Sequence, residues 1–76
     1  MLDKTKFYRE LEQILELSEG TVRGNLTLKD IPEWDSLAVV SFVGLADDTY
    51  GVILEPKKIE NCLIVDDLAQ LIESKL

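Results

Sequence analysis

The chain has no histidine and a single cysteine in its 76 residues. Without histidine it lacks the commonest general base and the commonest metal ligand. One cysteine cannot close an internal disulfide, and without histidine beside it a zinc site is not expected. An independent enzyme is therefore a poor first reading, and no metal is assigned to the chain. Basic residues are scarce as well: eight Lys and Arg stand against fifteen Asp and Glu, a net charge of -7. That balance repels phosphate backbones, so nucleic acid is not an expected partner, and it favours partners with basic surfaces. No apolar run approaches the ~20 residues needed to cross a bilayer, so membrane insertion is not expected. Met1-Leu2-Asp3-Lys4 lacks the apolar core of a signal peptide. The expected location is the cytoplasm.

What is present is ordinary globular material, 46% hydrophobic, enough to argue against wholesale disorder. The length allows one small domain, residues 1–76, which would bury only roughly 60% of the surface its unfolded form exposes. Asp3 is a candidate N-cap. After it Phe7, Leu11, Ile14 and Leu15 recur at helical spacing, with Arg9, Glu10, Glu12, Gln13 and Glu16 on the other faces. This predicts an amphipathic helix of about four turns ending near Ser18-Glu19-Gly20. Residues 20–35 hold Gly20, Gly24, Asn25 and Pro32 and show no sustained period. Val22, Leu26, Leu28, Ile31 and Trp34 punctuate that stretch, which predicts a long loop lying over the core.

A second helix is predicted from Ser36, with Val39, Phe42, Val43, Ala46 and Tyr50 on its apolar stripe and Gly51 at its C-terminal cap. Val52-Ile53-Leu54 reads as packed loop, since a lone strand would have no partner. Pro56 opens a short helix, where its missing amide costs nothing. Val65, Leu68, Ala69, Ile72 and Leu76 then mark a last helix, with Asp66 and Asp67 in its first turn and Lys75 in its last. The expected fold is all-α: a small bundle of three main helices and one short one, with a long first loop.

The stretch that points to function is Trp34-Asp35-Ser36-Leu37. A serine at a helix start lies near free backbone amides and the positive dipole end, which would stabilise a phosphate on its oxygen. Asp35 beside it could bind a metal or orient a hydroxyl while another enzyme modifies Ser36. Nothing else in the pattern makes Ser36 a nucleophile in its own right, because no histidine exists to take its proton. An isolated Asp-Ser pair more often simply caps a helix. The order of the elements raises the functional reading.

In that order the chain resembles the acyl carrier protein family, including peptidyl carrier domains. The resemblance spans essentially the whole chain. It rests on Leu28-Lys29-Asp30-Ile31, on Trp34-Asp35-Ser36-Leu37, and on the apolar helix ending Asp47-Asp48-Thr49-Tyr50-Gly51-Val52. It continues through the Pro56 helix into Ile64-Val65-Asp66-Asp67-Leu68-Ala69. The resemblance implies 4'-phosphopantetheine as a covalent cofactor, held as a phosphodiester on Ser36. It also implies that a phosphopantetheinyl transferase attaches it with coenzyme A and Mg2+, with Asp35 in recognition or Mg2+ binding during modification. The thiol of the arm would hold acyl or aminoacyl groups as thioesters, for fatty-acid, polyketide or related specialised biosynthesis. Loading enzymes, synthases and acyltransferases would be the partners of a monomer that does no chemistry itself. The chain departs from the family's pattern in three places. Glu33 replaces a common glycine two residues before the Asp-Ser-Leu motif, Ile64 replaces the Thr or Ser opening the last helix, and acids are sparse along the second helix.

Advancing ~100° per residue from a buried stripe at Val39, Ala46 and Tyr50 turns Leu37, Val40, Ser41, Gly44 and Asp48 away from the core, with Asp47 between. Leu37, Val40 and Gly44 thus form a mostly apolar strip beside Ser36, the expected partner face together with Ser41, Asp47 and Asp48. Asp47 and Asp48 oppose the helix dipole, which fits charges kept for a basic partner and equally fits solubility. Cys62 reads as a small core residue, and Trp34 as a lid over the loop. The competing reading of the whole chain is an acidic helical interaction domain without a prosthetic group.

Overall fold

The computed structural model describes residues 2–76. Four α-helices follow in chain order: α1 (Lys4–Leu15), α2 (Ser36–Tyr50), α3 (Pro56–Glu60) and α4 (Val65–Glu73), with a short 3-10 turn at Leu28–Asp30. No strand occurs among the described residues, so the all-α bundle is as expected. Phe7, Leu11 and Leu15 from α1 meet Phe42 and Ala46 from α2, Ile59 from α3 and Leu68 and Ile72 from α4 in one core. Phe7 packs edge-on to Phe42 with ring centroids 6.0 Å apart, joining the two longest helices at the centre.

Each helix start has a local cause. The Asp3 carboxylate accepts from the Lys6 amide at 3.2 Å and opens α1. Asp35 does the same for α2, accepting from Ala38 at 2.9 Å. Pro56 sits in the first turn of α3. Ile64 gives α4 no side-chain cap, but Asp67 reaches back and accepts from the amides of Leu63 (3.0 Å) and Ile64 (3.1 Å). These two bonds hold the Asp67 carboxyl below its usual range, and they replace the missing Thr or Ser with the reciprocal half of a capping box.

Two helix ends differ from the expectation. The first helix stops at Leu15, short of the expected Ser18-Glu19-Gly20, because Glu16 turns left-handed at φ 58°. The Leu17 amide then donates to the Glu12 carbonyl at 2.8 Å and the Glu16 amide to Gln13 at 3.3 Å, closing the turn as a Schellman motif. The last helix stops at Glu73, so Lys75 lies outside it, and Leu76 is 58% exposed rather than part of the apolar seam. The second helix ends as expected, on Gly51 at φ 67°.

The first connection does lie over the core. Val22, Leu28 and Ile31 are buried within it, and Trp34 is half-buried with its ring 6.2 Å from Phe42. Its far edge is stitched to the start of α4. The Leu28 amide donates to Leu63 at 2.9 Å, Val65 to Leu26 at 3.0 Å and Asp66 to Gly24 at 2.9 Å.

Glu12 holds the near edge of the same loop. The expectation placed it on a polar face, yet it is 3% exposed. One of its oxygens accepts from both the Gly20 amide (2.9 Å) and the Val22 amide (2.8 Å), and the other lies 3.1 Å from Arg9 Nε. A buried carboxylate is tolerable only when so paired. The reversal at Glu16 is what brings Gly20 and Val22 back to it.

Candidate functional site

Ser36 is the first residue of α2 and is exposed to solvent. The helix begins there because Asp35, in extended conformation, caps it. The Asp35 side chain satisfies the Ala38 amide and its carbonyl accepts from Val39 at 3.1 Å. The Ser36 and Leu37 amides precede the first i to i-4 bond of the helix and so have no helical acceptor. A phosphodiester on Ser36 would lie at this end, with favourable dipole sign. Asp35 thus has a capping role of its own, which uses one carboxylate oxygen and leaves the other outside the cap.

The strip expected beside Ser36 is present. Leu37 is 76% exposed and Val40 65%. Ser41, Asp47 and Asp48 are exposed, and Gly44 is half-buried. A Cβ built on Gly44 would meet nothing within 4 Å, so the flatness there is a property of the residue and not a demand of the packing.

Two of the surface clefts bear on the choice of site. The larger, about 540 Å3, is a polar hollow in the first loop between Gly20, Arg23, Asn25 and Asp30, and Ser36 takes no part in it. The smaller, about 330 Å3, adjoins the serine: Ile14, Leu15 and Glu16 from the end of α1 face Asp35, Leu37, Ala38 and Ser41 at the start of α2, with Glu33 from the loop. The second is the one connected to the candidate chemistry, because its lining residues flank Ser36 on both sides. Ile14, Leu15 and Glu16 were not anticipated there. Ile14 carried the core pattern, and no signal in the sequence announced a left-handed glutamate.

Several ionisable groups away from the serine have structural duties. Tyr8 Oη donates to Asp66 at 2.7 Å, and burial together with that carboxylate pushes its hydroxyl up to about 12. Lys4 lies 3.7 Å from the same Asp66. Tyr50 Oη donates to Glu10, and burial raises it further still. Cys62 is half-buried against the core. Burial first and Asp67 second push its thiol up to about 11, which keeps it protonated and poorly nucleophilic near neutral pH.

Comparison with protein families, with characterised proteins and with solved structures finds no match to this chain. Among the described residues no helix is long and apolar enough to cross a membrane.

Proposed function

We propose that this chain is a carrier protein of the acyl carrier type, bearing 4'-phosphopantetheine on Ser36. The observation that carries the reading is the position of that residue: a solvent-exposed serine on the first turn of α2, with an exposed apolar strip running away from it along the same helix. Transfer from coenzyme A forms the bond from the Ser36 oxygen to phosphorus and releases the nucleotide half of the coenzyme. The proton leaves to a base on the transferase, since this chain has no histidine to take it. Asp35 serves in recognition or Mg2+ binding with the carboxylate oxygen that the cap does not use. The arm supplies a thiol for thioester formation with an acyl or aminoacyl group.

The chain's own residues do three things in this reading. The α2 terminus receives the phosphodiester, by about 0.3–1 kcal/mol at an exposed site. Leu37, Val40, Ser41 and Gly44 offer a flat contact to partner enzymes. Asp47 and Asp48 at the far end of α2 meet basic groups on those partners. The arm raises the effective concentration of its cargo at each docked enzyme.

Incubation with a broad-specificity phosphopantetheinyl transferase, coenzyme A and Mg2+ tests the proposal. The expected result is a mass gain of one phosphopantetheine that is absent in Ser36→Ala. No gain in the wild-type chain would favour the acidic interaction domain instead.

A further inference from the structure

The groove between the end of α1 and the start of α2 runs beside Ser36: its chain neighbours Asp35 and Leu37 both line it, although the serine itself does not. Its bottom is apolar: Leu15 and Ala38 are buried and Ile14 is half-buried. Its rim carries the carboxylates of Glu16, Glu33 and Asp35, all exposed, and among the described residues no cation lines it. Such a surface rejects an anion. It suits a slender neutral chain with an aliphatic segment to lay on the bottom and N–H groups to donate to the rim, because hydrogen bonds to a carboxylate are roughly twice as strong as neutral ones.

We infer that the pantetheine arm, once attached to Ser36, folds back into this groove and rests there rather than extending into solvent. The inference rests on the carrier reading. Beyond its phosphate the arm is uncharged and carries a branched aliphatic carbon, a hydroxyl and two amide N–H donors before the thiol. The phosphate stays outside, at the α2 amides. The aliphatic carbon lies on Ile14 and Ala38. The amides donate to Glu16 and Glu33. Glu16 is then a positioning residue, and its left-handed backbone (φ 58°) is what ends α1 early enough to leave the groove open.

The test uses the full chain, labelled with 15N and 13C and loaded with coenzyme A by the transferase. The mass reports whether Ser36 is loaded, and the spectra report where the arm lies. The expected result is a shift of the Leu15 and Glu16 amides on loading, about twenty residues from the attachment point, with nuclear Overhauser contacts from the arm's methyl protons to Ile14 and Ala38. Loaded Glu33→Lys should lose these contacts. A full mass gain with shifts confined to residues 34–38 and no contact to Ile14 overturns the resting arm and leaves the carrier reading standing. The absence of a mass gain overturns the carrier reading, and the groove's occupant with it.

Discussion

The polar side chains of α1 and those of α2 serve opposite ends. On α1, Tyr8 binds Asp66, Glu10 receives Tyr50, Arg9 pairs with Glu12, and Glu12 receives two loop amides. All of these contacts except the Arg9–Glu12 pair, which lies within α1 itself, tie the helix to another part of the chain. On α2, one carboxylate, Asp35, caps the helix. Ser36, Leu37, Val40, Ser41, Asp47 and Asp48 face water. The α1 side spends its chemistry on stability, whereas the α2 face is left free of structural duty. A surface without structural duty can be shaped for contact at little cost to the fold, which is why the candidate site lies there.

The comparison breaks first at Glu12. Glu12→Ala should destabilise the protein by about 3 kcal/mol, since it strands the buried Val22 amide, the part-buried Gly20 amide and the Arg9 guanidinium. Chemical denaturation measures it. Glu12→Gln should cost clearly less, because its single oxygen can still accept from both Gly20 and Val22. Equal losses in the two variants would mean that the charge, and not the loop contacts, holds the clamp.

Asp35→Ala sharpens the contrast, because Asp35 holds the start of α2 beside the exposed face. The loss of the cap should cost about 1 kcal/mol. If modification of Ser36 falls by much more than that destabilisation explains, Asp35 also acts in recognition.

Glu16→Gly should raise stability by up to about 1 kcal/mol, by relieving the left-handed backbone at the end of α1. Thermal unfolding of the unloaded protein reports it. A loss would show that the Glu16 side chain contributes more to the fold than its exposed position suggests.

Alkaline titration probes the contacts of α1 without mutation. Tyr8 and Tyr50 are both raised above the ordinary tyrosine value near 10. A raised folded value favours the protonated form, so this contribution is complete below pH 10 and declines as pH rises from there toward about 12 for Tyr8. Phenolate absorbance should appear late, and unfolding should accompany it. Ionisation of either tyrosine at its ordinary value would mean that its contact with Asp66 or Glu10 does not persist in solution.

The smallest effects belong to the exposed strip. Leu37→Ser and Val40→Ser should each change stability by less than about 0.5 kcal/mol. Either variant should nonetheless weaken loading by a transferase if the strip is the contact face.

Helix spacing, the caps at Asp3 and Asp35, Pro56 and Gly51 were all readable from the order of residues, because each acts within a turn or two of its own position. So were the Ser36 position and the outward turn of Leu37 and Val40, which follow from the pitch of one helix. The clamp at Glu12 was not readable, since a glutamate on a helix becomes buried only when a distant segment folds over it. The groove was not readable for the same reason. It needs Glu16 to adopt a conformation that its residue type disfavours, and it needs α1 and α2 to stop and start side by side.

The sequence by itself therefore determined the elements, their polarity and the serine at the head of α2, all consequences of short-range sterics and hydrogen bonding. The tertiary structure alone decided which charges are buried, where the first helix ends and what surface lies beside that serine. Those depend on contacts between residues far apart in the chain, whose gain in burial outweighs the local preferences that the sequence displays.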